Sequence, residues 1–373
     1  MGLQDLADRK LVIYAGKGGV GKTTCSAATA LWLSEHGRRV LVVTVDPAKR
    51  LKDSLGLDVG FTETPVTEHL SAMMLDPRTV VQEYVRKYAP ERYEEVINHD
   101  LFKYVSEHMP GLNELLAIGK LADLREQNSY DIIVVDTAPS GHALNFLSAP
   151  RYIKELFEEQ SLVTLALKTY KLYAGLRKAG AGILGMLKIK VDDKTLDIDF
   201  EALFKAIAAE AERINQMLMD PATALNVVTI PEKLPVEESI ELLGKVEELG
   251  IHVGVVIVNK VQPDELGDLR DDFLRLNEDE ETKEDLKAVV QKSGYNPRLM
   301  KRVVSTVEFS DLRRQMNLQY IRELRARSRV PIVEVPLSKR DVEGLQALHE
   351  FGAHLFAGVV HGPPAGAGAA RLS

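Results

Sequence analysis

Apolar residues along this chain gather in short unbroken runs, separated by stretches of helical period. Five runs read as strands buried on both faces: residues 11–15, 40–45, 132–135, 227–230 and 253–258. They are rich in Val and Ile and lack the in-and-out alternation of a sheet with one wet face. A sixth run, 330–335, is interrupted by Pro331 and Glu334 and carries a weaker strand signal. Between the runs lie helical segments. Residues 23–36 run into Gly37, and 236–249 into Gly250, each glycine a plausible stop. The second segment has Ile240, Leu242, Leu243, Val246 and Leu249 on one face. Strands alternating with helices predict an α/β fold, a mostly parallel twisted sheet flanked by helices.

Two stretches exceed a minimal wound sheet. One is 77–128, helix-prone and mixed in charge. The other is 150–222, which opens at Pro150 and places Leu162, Leu165, Tyr170, Tyr173, Leu176, Ile183 and Leu187 at near-helical spacing. Gly175, Gly180, Gly182 and Gly185 break that run. Both are expected to form a helical insertion or subdomain within a single domain spanning 1–360. The charged stretch 277–287 reads as a solvated helix face or loop. The Gly-, Ala- and Pro-rich residues 361–373 read as a disordered tail.

Composition narrows the class. With 45% hydrophobic and 27% charged residues, the chain can bury a sizeable core. A net charge of −8 argues against broad nucleic-acid binding, which needs a basic footprint. One cysteine, Cys25, excludes an intramolecular disulfide and a cysteine-rich metal site, and fits a reducing, cytoplasmic setting. Asp5, Asp8, Arg9 and Lys10 interrupt any signal-peptide core, and no apolar run is long enough to span a membrane.

Candidate chemistry begins directly behind the first strand, at AGKGGVGKTTC (15–25). Residues 16–23 satisfy G-x-x-x-x-G-K-[ST] between a predicted strand and a predicted helix, the context a phosphate loop requires. The glycines let backbone N–H groups curl around phosphate oxygens, and the helix N-terminus adds partial positive charge. The nucleotide-binding set is Gly16, Lys17, Gly18, Gly19, Val20, Gly21, Lys22, Thr23 and Thr24. Lys22 would reach the β- and γ-phosphates, and Thr23 would ligate Mg²⁺. Asp136, ending IIVVD, would hold that ion through water. Asp46, ending LVVTVD, sits at a strand's C-terminal end and could orient an attacking water.

Lys17 is a second lysine where such a loop needs one. With it, KGGVGKTT resembles the deviant Walker A motif of a dimerising class of P-loop ATPases. Further segments resemble the ArsA family within that class. DPAKRLKDSLG (46–56) is similar to its first switch, MPGLNELLA (109–117) to its PG-x-x-E helix start, and DTAPSGHALNFLSAP (136–150) to its second switch. TIPEK (229–233), VNKVQP (258–263) and VPLSKRDVEG (335–344) resemble its nucleotide-enclosing segments. The likeness covers roughly residues 10–355. It implies ATP and Mg²⁺ as cofactors, a homodimer, and a catalytic set of Asp46, Lys17 and Lys22. Lys17 would reach the partner's nucleotide and Asp46 would place the hydrolytic water. Asn259 would read adenine, with Pro336 and Leu337 in its pocket, and Glu232 would contact a nucleoside across the interface. One departure is Lys49, followed by Arg50, where the family's first switch usually has His.

What the ATPase drives is less legible. Arsenite-pump members sense metalloid through a thiolate cluster, the soft ligands such a site needs, and this chain has one thiol. Tail-anchored targeting members often share zinc through C-x-x-C, which is also absent, so no zinc is expected. Their client groove is an apolar helical insertion after the second switch, where 150–222 lies. Its stripe reads equally as core packing. The leading expectation is a targeting or chaperone factor for hydrophobic membrane-protein segments. The alternatives are the ATPase subunit of an arsenite or anion efflux pump, and a ParA/MinD-like positioning switch. These imply hydrophobic clients, a membrane receptor or an integral pump as partners, and a cytoplasmic protein that works at a membrane.

Overall fold

The computed structural model describes residues 3–46, 50–88, 90–98, 111–138, 140–158, 200–270, 284, 292, 297–358 and 360–361. Among these residues nine strands make one sheet. They are β1 (Leu11–Ala15), β2 (Val40–Thr44), β3 (Thr64–Pro65), β4 (Leu70–Met74), β5 (Ile132–Asp136), β6 (Thr223–Thr229), β7 (Val253–Val261), β8 (Ile332–Pro336) and β9 (Val360–His361). Their spatial order is β3-β4-β2-β5-β1-β6-β7-β8-β9. The inner seven run parallel, while the two-residue strands β3 and β9 pair antiparallel at the edges. Such short edges leave little backbone for another chain to pair with.

Strand β1 shows why the sheet is covered on both sides. All five of its residues are buried. Leu11, Ile13 and Ala15 join one core, with Ile118 and Leu121 of α5 (Leu112–Glu126), Phe146 of α6 (Ser140–Glu158) and Ile214 of α7 (Phe200–Met219). Val246 of α8 (Lys233–Glu248) and Leu324 of α9 (Pro297–Arg327) complete that face. Val12 and Tyr14 join the other core, with Ala27 and Leu31 of α1 (Lys22–Glu35), Leu51 and Leu55 of α2 (Arg50–Leu55) and Phe351 of α10 (Gly344–Ala357). Each fully buried aliphatic side chain contributes about 1.5–3 kcal/mol, so two cores rather than one hold the sheet. Trp32 of α1 seals the α1–α10 seam, stacked on Phe356 at 3.9 Å between ring centres and on His36 at 3.7 Å.

Several elements differ from the sequence reading. Strand β6 begins at Thr223, not 227, because the side-chain oxygens of its polar residues find partners in place. Thr223 Oγ1 donates to the Met217 carbonyl at 2.6 Å, and Asn226 Oδ1 accepts the Val255 N–H at 3.2 Å. Strand β4, LSAMM, was not anticipated. Pro150 lies inside α6 rather than opening a new segment. A buried proline there forfeits about 3 kcal/mol of helix stability. Burial of Phe146, Leu147, Ala149 and Ile153 around it offsets that loss.

Of the expected helical insertion, 77–128 contributes α3 (Pro77–Tyr88), α4 (Tyr93–Asn98) and α5, and 150–222 contributes the end of α6 and α7. Arg213 of α7 bonds Asp123 and Glu126 of α5, and Tyr84 of α3 donates to Glu210, binding the three helices together. The apolar stripe at 162–187, most of 277–287, Lys49 and the tail beyond His361 lie outside the described residues.

Candidate active site

The order β2-β5-β1-β6-β7 places β1 centrally, with β2 on one side and β6 on the other, so the chain reverses its winding direction there. A crevice at the C-terminal ends of the strands is where open α/β sheets bind ligands. The loop from Gly16 to Gly21 leaves β1 at that point and leads into α1.

Local geometry dictates the glycines. A Cβ on Gly16 would overlap the Val228 carbonyl oxygen of β6. Gly21, at φ 99°, caps α1 in the left-handed region, and a Cβ there would overlap the Asn259 amide. No side chain caps the first turn of α1, whose leading N–H groups have no intrahelical acceptor. That end of a helix is suited to an anion. Gly21→Ala is expected to cost about 2 kcal/mol in chemical unfolding and to weaken ATP binding, because strain and overlap fall on the same residue.

Within the loop, Lys22 is buried and its Nζ donates to the Lys17 carbonyl at 3.0 Å. Thr23 Oγ1 donates to Asp136 Oδ2 at 2.7 Å, and Thr44 Oγ1 to the same oxygen at 3.1 Å. Asp136 Oδ1 is buried and accepts no hydrogen bond. Burial pushes the Asp136 carboxyl up from its ordinary 3.8 to about 6, against the opposing pull of Thr23, Lys22 and Thr44, with the nearby Asp46 charge raising it further. A buried carboxylate with one unused oxygen, beside a threonine hydroxyl, has the donor chemistry for a hard divalent cation. Asp46 is buried, and its N–H donates to Thr44 Oγ1 at 3.2 Å. Thr44 thus links the two acidic residues.

The remaining expected site residues also lie at strand ends. Asn259 is buried at the end of β7, its Nδ2 donating to the Val20 carbonyl at 2.9 Å and its Oδ1 accepting the Lys260 N–H at 2.9 Å. Pro336 closes β8, and the Leu337 N–H donates to the Val261 carbonyl at 2.8 Å, which sets Leu337 beside the end of β7. Glu232 precedes α8 and lies 3.9 Å from Arg313 of α9. Lys17 Nζ, within the same chain, donates to Glu238 Oε1 of α8 at 2.6 Å. Thr44, Glu238 and Lys260 were missed in the sequence. Thr44 had a faint signal, a hydroxyl inside an otherwise apolar run; the other two depend on contacts between distant segments.

A phosphate loop at the switch point of a parallel sheet, with a buried acidic residue on its threonine, defines the P-loop nucleotide hydrolases. Within that class, the Anion-transporting ATPase family of ArsA type matches residues 9–303. The chain belongs to this family and is an ATPase. It is 32% identical over 288 residues to a protein of Aquifex aeolicus named as an arsenical pump-driving ATPase, covering 74% of this chain and 86% of that one. It is 28% identical to an ATPase ASNA1 homolog of Entamoeba dispar, covering 68% and 77% respectively. It is 27% identical to ATPase GET3C of Arabidopsis thaliana, covering 74% and 72%. No described helix is long and apolar enough to cross a membrane.

Proposed function

We propose that this ATPase works as a nucleotide-gated homodimer that escorts hydrophobic membrane-protein segments. The observation that carries the choice of cargo is the thiol inventory. The only cysteine, Cys25, is fully buried on α1 behind the phosphate loop. Burial pushes that thiol well above its ordinary range, so it is a poor thiolate ligand. A metalloid-sensing thiolate cluster is therefore not available from this chain. In each subunit Lys22 and the loop hold the phosphates, Thr23 and Asp136 hold Mg²⁺, and Asp46 orients the water. Asn259, Pro336 and Leu337 form the base pocket. Lys17 and Glu232 act on the partner's nucleotide.

The test uses Asp46→Asn protein loaded with ATP and mixed with a purified single-span membrane protein. A soluble complex of two chains with one client is expected. Precipitation of the client regardless of the protein would remove the targeting role. The name carried by the Aquifex relative favours a pump reading instead, and several-fold stimulation of turnover by arsenite would establish it.

Magnesium binding should depend on pH through Asp136. A proton and a cation compete for its carboxylate, so affinity for Mg²⁺ should fall as the pH drops from about 7 to about 5, through the raised value near 6. Calorimetric titration at three pH values checks this, and Asp136→Asn should bind weakly at all of them. The same group makes the metal-free chain less stable as pH rises from about 4 to about 6, because the folded state keeps a proton that the unfolded state releases.

A further inference from the structure

Lys260 reaches the phosphate loop from two strands away, and its backbone is distorted where it does so. Its φ of 58° lies in the left-handed region, which costs a residue with a side chain about 1–2 kcal/mol. The pairing of β7 with β8 also slips there. Val258 faces Glu334 and Val261 faces Pro336, so β7 carries one extra residue, and it falls at Asn259–Lys260. Along a regular strand two consecutive side chains point to opposite faces. The bulge breaks that rule, and both side chains arrive at the same loop. Asn259 Nδ2 donates to the Val20 carbonyl at 2.9 Å, and Lys260 Nζ to the Gly19 carbonyl at 3.0 Å.

We propose that Lys260 is a positioning residue for ATP binding, holding the phosphate loop in its nucleotide-ready shape before the nucleotide arrives. The peptide plane supplies the reason. In a trans peptide the carbonyl and the following N–H point in opposite directions. Anchoring the Gly19 and Val20 carbonyls toward β7 turns the N–H groups of Val20 and Gly21 away from it, toward the phosphates. Glycines make the loop pliable, and an external anchor removes alternatives that ATP would otherwise have to select against. Strain at a functional segment is retained when the surrounding contacts use it. The inference rests on the reading that residues 16–23 hold the triphosphate.

The test is steady-state ATPase kinetics on Lys260→Met, Lys260→Asn and Lys260→Arg, with Lys22→Ala alongside. Lys260→Met should raise KM for ATP by about tenfold and leave kcat within about twofold. Lys260→Asn keeps a residue that tolerates the left-handed backbone but loses the amine, and should match Met. Lys260→Arg should recover most of the loss. The KM ratio of Met to wild type should persist at high salt, where a long-range attraction between exposed charges would be screened away. Wild-type KM in Lys260→Met or Lys260→Asn, a fall in kcat with KM unchanged, or a ratio that vanishes in salt would each overturn the proposal. Lys22→Ala separates the two layers: if it still binds ATP normally, the loop reading itself fails, whereas its loss of binding beside a silent Lys260→Met removes only the positioning role.

Discussion

Lys17→Ala is expected to cut ATP turnover by about a thousandfold in a chain that folds and melts as before. A cation supplied to developing phosphoryl charge from outside the subunit is worth about 10³–10⁵ in kcat. Within one chain Lys17 is held by Glu238, with the two side chains 35 and 38% exposed. A pair that open to water is worth about 0–1 kcal/mol, so nucleotide on a partner subunit can recruit the lysine at small cost. Unfolding curves of mutant and wild type should therefore nearly superimpose. A mutant with full turnover would end the case for a composite site.

Asp46→Asn is expected to retain ATP and hydrolyse it about 100- to 10,000-fold more slowly, the range for loss of a group that orients and activates a water. KM should change little, since the amide keeps the shape of the carboxylate and the Asp46 N–H still donates to Thr44. Mixing the two variants supplies a sharper measurement. In a mixed dimer, one site takes an intact Asp46 from its own chain and an intact Lys17 from its partner. The other site lacks both. With random pairing, about a quarter of wild-type turnover should return on mixing two inactive proteins. No recovery, under conditions where the chains exchange, would place Lys17 in its own subunit's site.

The legible parts of the molecule were those whose pattern is local. Strands β1, β2 and β5 announce themselves because both faces are buried and every position accepts Val or Ile. The phosphate loop is legible because its G-x-x-x-x-G-K-[ST] pattern is contiguous and lies between a strand and a helix, even though Gly16 and Gly21 answer contacts from β6 and β7. Strand β4 was not legible, because Ser71 and Ala72 dilute its apolar run. The 31-residue helix α9 was missed because polar residues surround most of its length, and among its described residues Ile321 and Leu324 are the buried apolar ones. In the site, Asp136 and Asp46 could be named from strand ends. Their link through Thr44 could not, because it joins neighbours in the sheet that are 92 residues apart in sequence. The partners of Lys17 and Gly19 come from α8 and β7, more than 200 residues along the chain, and spacing carries no trace of them.

The stacked ring on α1 gives the protein a reporter of its own. Trp32 is the only tryptophan, so all indole emission comes from the seam between α1 and α10. The helix that carries it begins at the phosphate loop, and the indole sits ten residues from Lys22 on the same rigid rod. A displacement of α1 against α10 on nucleotide binding would change the overlap of Trp32 with Phe356, and therefore the brightness of one fluorophore. Nucleotide binding and release can be timed by stopped flow on the unlabelled chain, with every variant above read on the same scale.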